Sequence, residues 1–169
     1  VRERPEPNPE LGPLVVQLTV PDSAAAVAFY VRAFGASELY RNTEAAGGRR
    51  VVHCELLVAG ARLQLNDEFP EHGLLAPASL GGTSATFNLW VPDVDATYAQ
   101  AIAAGGRMLS PPADRFWGAR CGALVDPFGH RWNVSTQIED LAPDEIIRRS
   151  NAAPTDVRLG VVARSPAPR

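Results

Sequence analysis

The sequence predicts an α+β fold of two tandem βαβββ modules, and three observations support this. Leu18-Thr19-Val20-Pro21-Asp22 returns as Leu89-Trp90-Val91-Pro92-Asp93, 71 residues later. Both copies run into an alanine-rich stretch and close on small residues, Ala33 and Gly35 in the first and Ala104 and Gly106 in the second. Gly60-Ala61-Arg62-Leu63-Gln64-Leu65 likewise returns as Gly129-His130-Arg131-Trp132-Asn133-Val134, 69 residues later. Each copy of such a repeat is a unit that must bury its apolar face against something. Two copies make a paired domain rather than a solenoid, and the drift from 71 to 69 falls in the intervening loops.

Composition narrows the function classes. At 169 residues and 46% hydrophobic content, the chain supports one compact domain or two small packed modules. Net charge is −3 and the 16 basic residues are scattered, so nucleic acid is excluded as the expected partner. No apolar run approaches the ~18–20 residues that span a bilayer. Val1-Arg2-Glu3-Arg4-Pro5-Glu6-Pro7 has no apolar core of a secretory signal, so a cytoplasmic protein is expected.

The elements follow in order. Residues 1–12 are charged and proline-rich and read as a flexible leader. The first module occupies 13–67 and opens with a strand from Leu14 to Val20. Asp22 or Ser23 caps a helix through Phe34, with Val27, Tyr30, Val31 and Phe34 spaced for one buried face, and Gly35 ends it. Strands are expected at 37–42, 50–58 and 61–66, the last two joined by an Ala59-Gly60 corner. Residues 68–83 read as a linker rich in proline and glycine.

The second module, 84–137, repeats the pattern. It has a strand at 84–91, a helix at 94–104, a short strand at 107–110, a loop from Pro111 to Gly118, and strands at 119–125 and 130–136. Residues 138–149 hold a C-terminal helix starting at Pro143-Asp144-Glu145, and 150–169 read as a disordered tail. Cys54 and Cys121 fall in expected strands without metal-type spacing. A disulfide is open to them, but two reduced, buried thiols fit better. Gly47-Gly48 and Gly81-Gly82 lack the strand-to-helix setting of a phosphate or dinucleotide loop, and there is no nucleophile elbow.

Two motifs in register with the repeat carry a family resemblance. Asp22, Phe29-Tyr30 and Phe34-Gly35 follow the first strand, and Val125-Asp126-Pro127-Phe128-Gly129-His130 precedes the last. Over residues 14–136 the chain resembles the vicinal oxygen chelate superfamily of glyoxalase I, extradiol dioxygenases, and fosfomycin- and bleomycin-resistance proteins. Trp117-Gly118 through Trp132, followed by Glu139-Asp140, looks most like the bleomycin-resistance branch. The resemblance implies a cupped, mixed β-sheet with helices outside, and a homodimer. It also implies four metal seats, which fall here on Val15, Gln64, Thr86 and Asn133. Valine cannot ligate, threonine is a poor ligand and two neutral amides supply no anionic charge, so no metal cofactor is expected.

Strand alternation reads the face of the cup. Val15, Gln17 and Thr19 face inward, with Leu14, Val16, Leu18 and Val20 under the helix. His53 and Glu55 face inward opposite Val52, Cys54 and Leu56. Arg62 and Gln64 share that face, as do Thr86, Asn88 and Trp90, and Arg131, Asn133 and Ser135. Phe116 and Trp117, beside Arg115 in the Pro111–Gly118 loop, are positioned as a lid that stacks on an aromatic ligand or packs on the sheet edge. Arg62 and Arg131 either clamp an anionic group or neutralise nearby acids.

The leading expectation is therefore a metal-independent protein that binds a small aromatic or amphipathic molecule in a polar cup. The ligand-binding set is Gln17, Arg62, Gln64, Thr86, Asn88, Trp90, Phe116, Trp117, Arg131 and Asn133. The alternative is a lyase, isomerase or dioxygenase. It would use His53 and Glu55 as an acid–base pair or as ligands of a relocated Zn, Ni, Mn or Fe. The plainer role for His53 and Glu55 is a hydrogen-bonded pair steadying the sheet, and His130 reads as a turn residue. A purely structural or interaction module is the third possibility.

Overall fold

A computed structural model describes residues 14–154, and the expected leader and residues 155–169 lie outside the described residues. The chain divides into two compact units, Val1–Gly82 and Thr83–Arg169. The first unit runs β1 (Val16–Val20), α1 (Ser23–Phe34), β2 (Ser37–Thr43), a 3-10 turn at Ala45–Gly47, β3 (Val51–Val58) and β4 (Ala61–Asp67). A 3-10 turn at Pro70–His72 and the short helix α2 (Pro77–Leu80) follow. The second runs β5 (Thr86–Trp90), α3 (Val94–Ala103), β6 (Arg107–Arg115), β7 (Ala119–Val125), β8 (Arg131–Gln137) and α4 (Pro143–Ala152). Each unit carries one four-stranded mixed sheet, ordered β1-β4-β3-β2 and β5-β8-β7-β6. The first and last strands of each module pair in parallel and the others antiparallel. The tandem βαβββ architecture is as expected.

The repeated Val-Pro-Asp starts both main helices for one physical reason. Asp22 accepts the Ala25 N–H at 2.9 Å and Asp93 accepts the Ala96 N–H at 2.9 Å, so each satisfies an orphan donor of the first helical turn. Gly35 ends α1 in the left-handed conformation (φ 65°), where its N–H reaches the carbonyls of Tyr30 and Val31. The following residue of each repeat, Ser23 or Val94, donates its N–H to the last strand of its own module. Asp67 accepts it in the first unit at 2.6 Å, and the Thr136 hydroxyl in the second at 2.8 Å. Asp126 shapes the other motif by accepting the N–H groups of Phe128 and His130, both at 2.9 Å, and the Trp132 indole N–H at 3.0 Å.

Several boundaries differ from expectation. Val27 and Tyr30 are buried on α1 as expected, but Val31 is 44% exposed and Phe34 half-buried, and Ala26, Phe29 and Ala33 complete the buried face. The first strand starts at Val16, leaving Leu14 exposed before it, and Val16 and Val52 are exposed at strand ends. The strand expected at 107–110 continues through Pro111 and Pro112 to Arg115. Strand β6 is an edge strand with an irregular register there, a place where missing proline N–H groups are tolerated. The stretch expected as a linker, 68–83, belongs to the first unit up to Gly82 and is ordered around buried Phe69 and Ala76, with Arg50 lying 4.2 Å over the Phe69 ring. The last helix is Pro143–Ala152, so residues 150–152 are helical and 138–142 are not. Among the described residues no helix is long and apolar enough to cross a membrane.

Candidate functional site

Helix α1 packs on β3 and β4, which leaves the opposite face of the first sheet open to side chains that need not be apolar. Cross-strand partners point to the same face, so the register lays Gln17, Gln64, Glu55 and Tyr40 in one row across β1, β4, β3 and β2. Thr19 and Asn66 form a second pair, as do Asn42 and His53. Gln17, His53, Glu55, Arg62 and Gln64 thus occupy the face expected of them.

Glu55 is the centre of this face and only 2% exposed. Arg62 donates to its Oε1, the Tyr40 hydroxyl to its Oε2 at 3.1 Å, and the Gln64 amide reaches the same oxygen at 3.5 Å. Burial works to raise the Glu55 carboxyl. The hydrogen bonds from Arg62 and Tyr40, with the Arg62 charge, outweigh it and hold the group below the usual carboxylate range. The Tyr40 hydroxyl is pushed up, first by its bond to Glu55 and then by burial. An ionised carboxylate only accepts, so the phenol donates to Glu55 and its oxygen accepts from His53 Nε2, 3.2 Å away. That order leaves Nδ1 as the ring nitrogen able to accept a proton. His53 and Glu55 are 3.7 Å apart, so they are joined through Tyr40 rather than by a bond of their own.

Tyr40 was not legible as a site residue. Glu38 pairs with Leu56 and Tyr40 with Glu55, so Leu39 is an extra residue in β2, and this bulge re-aims Tyr40 onto the row. Asn66 was also missed. It is 1% exposed, accepts from Gln17 Nε2 at 2.7 Å and exchanges bonds with Thr19. The signal available was simple alternation, two residues beyond Gln64.

In the second sheet, Thr86 partners Arg131, Asn88 partners Asn133, and Trp90 partners Ser135, so all six residues expected on the inward face share one face. Asn133 donates to the Asn88 side-chain oxygen at 2.9 Å, and Trp90 is 54% exposed. Arg131 makes no ion pair among the described residues, whereas Arg62 goes to Glu55. Phe116 and Trp117 sit in the tight turn between β6 and β7, not in a long overhanging loop. They pack edge-to-face against each other with ring centroids 4.9 Å apart. His130 is a buried turn residue, 5% exposed. Cys54 and Cys121 are free, buried thiols, and burial pushes Cys54 up to about 11.

The resemblance puts the metal seats at Val15, Gln64, Thr86 and Asn133. Gln64 and Asn133 are equivalent partners of Gln17 and Asn88, while Val15 precedes β1. This donor set holds no imidazole and no carboxylate and does not fit a divalent ion. Among the described residues no three His, Cys, Asp or Glu side chains gather into a metal-holding group. Glu55 is already engaged by the Arg62 cation, so with His53 it makes a poor relocated site.

The sequence model of the Glyoxalase/Bleomycin resistance protein/Dioxygenase superfamily matches residues 12–134. An uncharacterized protein of Mycobacterium tuberculosis is 39% identical over 142 residues, covering 82% of this chain and 81% of its own length. Among solved structures, TioX from Micromonospora sp. ML1 matches with 30% identity and a TM-score of 0.58, over 73% of this chain and 97% of that one. The fosfomycin resistance protein FosX from Listeria monocytogenes matches at 20% identity with a TM-score of 0.59, over 80% of this chain and 97% of that one. The likeness to FosX is one of fold. FosX has also been solved with manganese(II) and sulfate.

Proposed function

The chain belongs to the Glyoxalase/Bleomycin resistance protein/Dioxygenase superfamily, and from that membership we propose that it binds a small aromatic or amphipathic molecule on the polar open faces of its sheets, without the divalent ion of the metal-dependent members. One observation carries the reading. At the four positions where the family resemblance implies metal ligands the chain carries Val15, Gln64, Thr86 and Asn133, set among hydrogen-bonding neighbours such as Gln17, Asn88, Arg62 and Arg131. Neutral amides and guanidinium groups hold organic carbonyls, hydroxyls and acids by hydrogen bonds, and without a carboxylate or imidazole beside them they bring no anionic charge to hold a divalent ion. The two free, buried thiols favour a reducing, cytoplasmic setting, and the family resemblance favours a homodimer.

The test is a thermal-shift screen of aromatic and amphipathic compounds against the full chain, with and without EDTA, alongside elemental analysis. A true ligand at about 100 times its Kd stabilises the fold by about 2.7 kcal/mol, and EDTA leaves that gain unchanged. Stoichiometric Zn, Ni, Mn or Fe in the purified protein overturns the metal-free reading. A screen in which no compound raises Tm overturns binding altogether.

A second reading is an enzyme using acid–base chemistry. The observation that favours it is Tyr40 linking His53 to an ionised Glu55, which orients the imidazole and leaves Nδ1 as the base. His53→Gln and Tyr40→Phe distinguish the two readings: turnover lost with ligand binding kept supports catalysis, and unchanged behaviour supports binding alone.

A further inference from the structure

We propose that the open face of the second sheet seats a planar aromatic anion, a fused ring system bearing a carboxylate or similar acid group. This rests on the small-molecule reading above and adds which half holds the ligand and what chemistry the ligand has. The register makes the two open faces comparable position by position. Tyr40 and Glu55 are partners in the first sheet, and Ser110 and Ala123 are partners at the equivalent place in the second. His53 precedes Glu55 by two residues as Cys121 precedes Ala123. The three side chains that fill the first face are thus replaced by hydroxymethyl, thiol and methyl groups. The open-face side of β7 reads Ala119, Cys121 and Ala123, small side chains over roughly 13 Å at ~3.3 Å per residue, with Ala119 and Cys121 buried at the far end and Ala123 half-buried.

Two independent observations point to an occupant for this floor. The Ser110 hydroxyl is buried in a residue only 2% exposed and has no hydrogen-bond partner. Its register partner is Ala123, so it is turned to the face that Tyr40 uses in the first sheet to reach Glu55. A buried hydroxyl without a partner is uncommon in a finished structure, and a ligand oxygen or nitrogen supplies the missing bond.

The second observation is charge. Arg107 and Arg131 lie in the row that ends at Thr86, and Arg115 pairs with Ala119 at the other end of the floor. None of the three makes an ion pair among the described residues, and the Arg115 Nε is buried without a partner. The nearby acids are committed elsewhere, Asp114 to Arg120 and Asp126 to the Trp132 indole and its own turn. On the first face the corresponding cation, Arg62, is neutralised by Glu55. An uncompensated basic face over a floor of small side chains selects an anion with an apolar body. Trp90, exposed in the row of Ser135 and Cys121, supplies a ring edge against which such a body stacks.

The experiment titrates the full chain with 2-naphthoate and with neutral 2-naphthamide, read by amide and indole N–H signals in ¹H–¹⁵N NMR. Naphthoate is expected to shift the Trp90 indole and Asn133 amide signals to saturation, and naphthamide to bind about tenfold more weakly. Arg131→Gln removes that preference. Ser110→Tyr and Ala123→Leu each fill the floor and weaken naphthoate about tenfold or more while signal dispersion stays native. If one of these variants fails to fold, the other and Arg131→Gln carry the test. Shifts confined to the Gln17 and Gln64 side-chain amides put the ligand on the first sheet and overturn the inference while sparing the broader reading. Equal affinity for acid and amide overturns the anion class. Silence of Trp90 at millimolar naphthoate overturns the seat, and the thermal-shift screen then decides separately whether the broader reading survives.

Discussion

Where β3 of the first unit carries Cys54, β7 of the second carries Gly122, and where α1 carries Val27, α3 carries Tyr98. A larger strand residue and smaller helix residue have been exchanged for the reverse at this place, where the Tyr98 ring lies over Gly122. The helix-start anchor is exchanged too: Asp67 in one unit and Thr136 in the other receive the same backbone N–H. On the open faces there is no such compensation, since Tyr40, His53 and Glu55 of one copy correspond to Ser110, Cys121 and Ala123 of the other. The frame therefore constrains what lies under the helices, where packing and backbone donors must be satisfied. It leaves the other face free to diverge, so function is to be sought in the positions that differ without being balanced.

The anchors give the largest expected effect. Asp67 is 9% exposed and its two oxygens accept separate backbone N–H groups, from Ser23 at 2.6 Å and Val51 at 2.7 Å. Asp67→Ala leaves both donors buried and unpaired, at about 3–4 kcal/mol. Thr136 accepts from Val94 and donates to the Val91 carbonyl at 2.9 Å, both neutral bonds, so Thr136→Val costs about 1–2 kcal/mol. Urea unfolding of the two variants measures the difference. Equal losses would mean that the charge of Asp67 adds nothing and that the anchors are interchangeable.

The exchanged packing pair comes next. A Cβ on Gly122 lies 2.8 Å from Tyr98 Cδ2 and 3.1 Å from Pro112 Cγ, and neither ring can swing away cheaply. Gly122→Ala is expected to cost about 2 kcal/mol. In a Tyr98→Val background, which restores the first unit's smaller helix residue, the same change costs about 1 kcal/mol, the remainder coming from the Pro112 contact. A cycle with no coupling would show that glycine is needed for some reason other than the Tyr98 ring.

Much of this frame was legible in the sequence because it repeats and alternates. Asp22 and Asp93 announce helix starts, Gly35 a helix end, and the period of two assigns Gln17, Glu55, Gln64, Asn88 and Asn133 to open faces. What escaped was set by features with no local period. The Leu39 bulge moves Tyr40 by one residue, so alternation alone could not bring it to Glu55. Ala26 and Ala33 were outranked by larger neighbours, although both are fully buried on α1. The 68–83 stretch reads as a linker because its order comes from single tertiary contacts, such as Glu68 accepting the Ala76 N–H at 2.7 Å. Pro111 and Pro112 suggest a loop until β6 is known to be an edge strand.

The smallest expected effect is the one that separates the open faces by pH. Glu55 is held below its ordinary value of 4.5 because bonds from Arg62 and Tyr40 outweigh the cost of burial. Between that lowered value and 4.5, the unfolded chain binds more protons at this group than the folded chain does, so stability rises with pH. The contribution is complete above about 4.5 and is lost as pH falls through the folded-state value. Glu55→Gln removes it, and the stability gap between wild type and variant, measured by urea unfolding, should narrow from pH 7 to about pH 3. Tyr40→Phe removes one of the two bonds that hold the carboxylate, so it should flatten the pH dependence only in part. The second sheet has Ala123 at this position and contributes no matching term, so Ala123→Ser leaves the pH dependence as it is. A gap between wild type and Glu55→Gln that stays constant across the range would mean that Glu55 is ordinary in the folded chain. The two open faces would then differ in shape but not in charge.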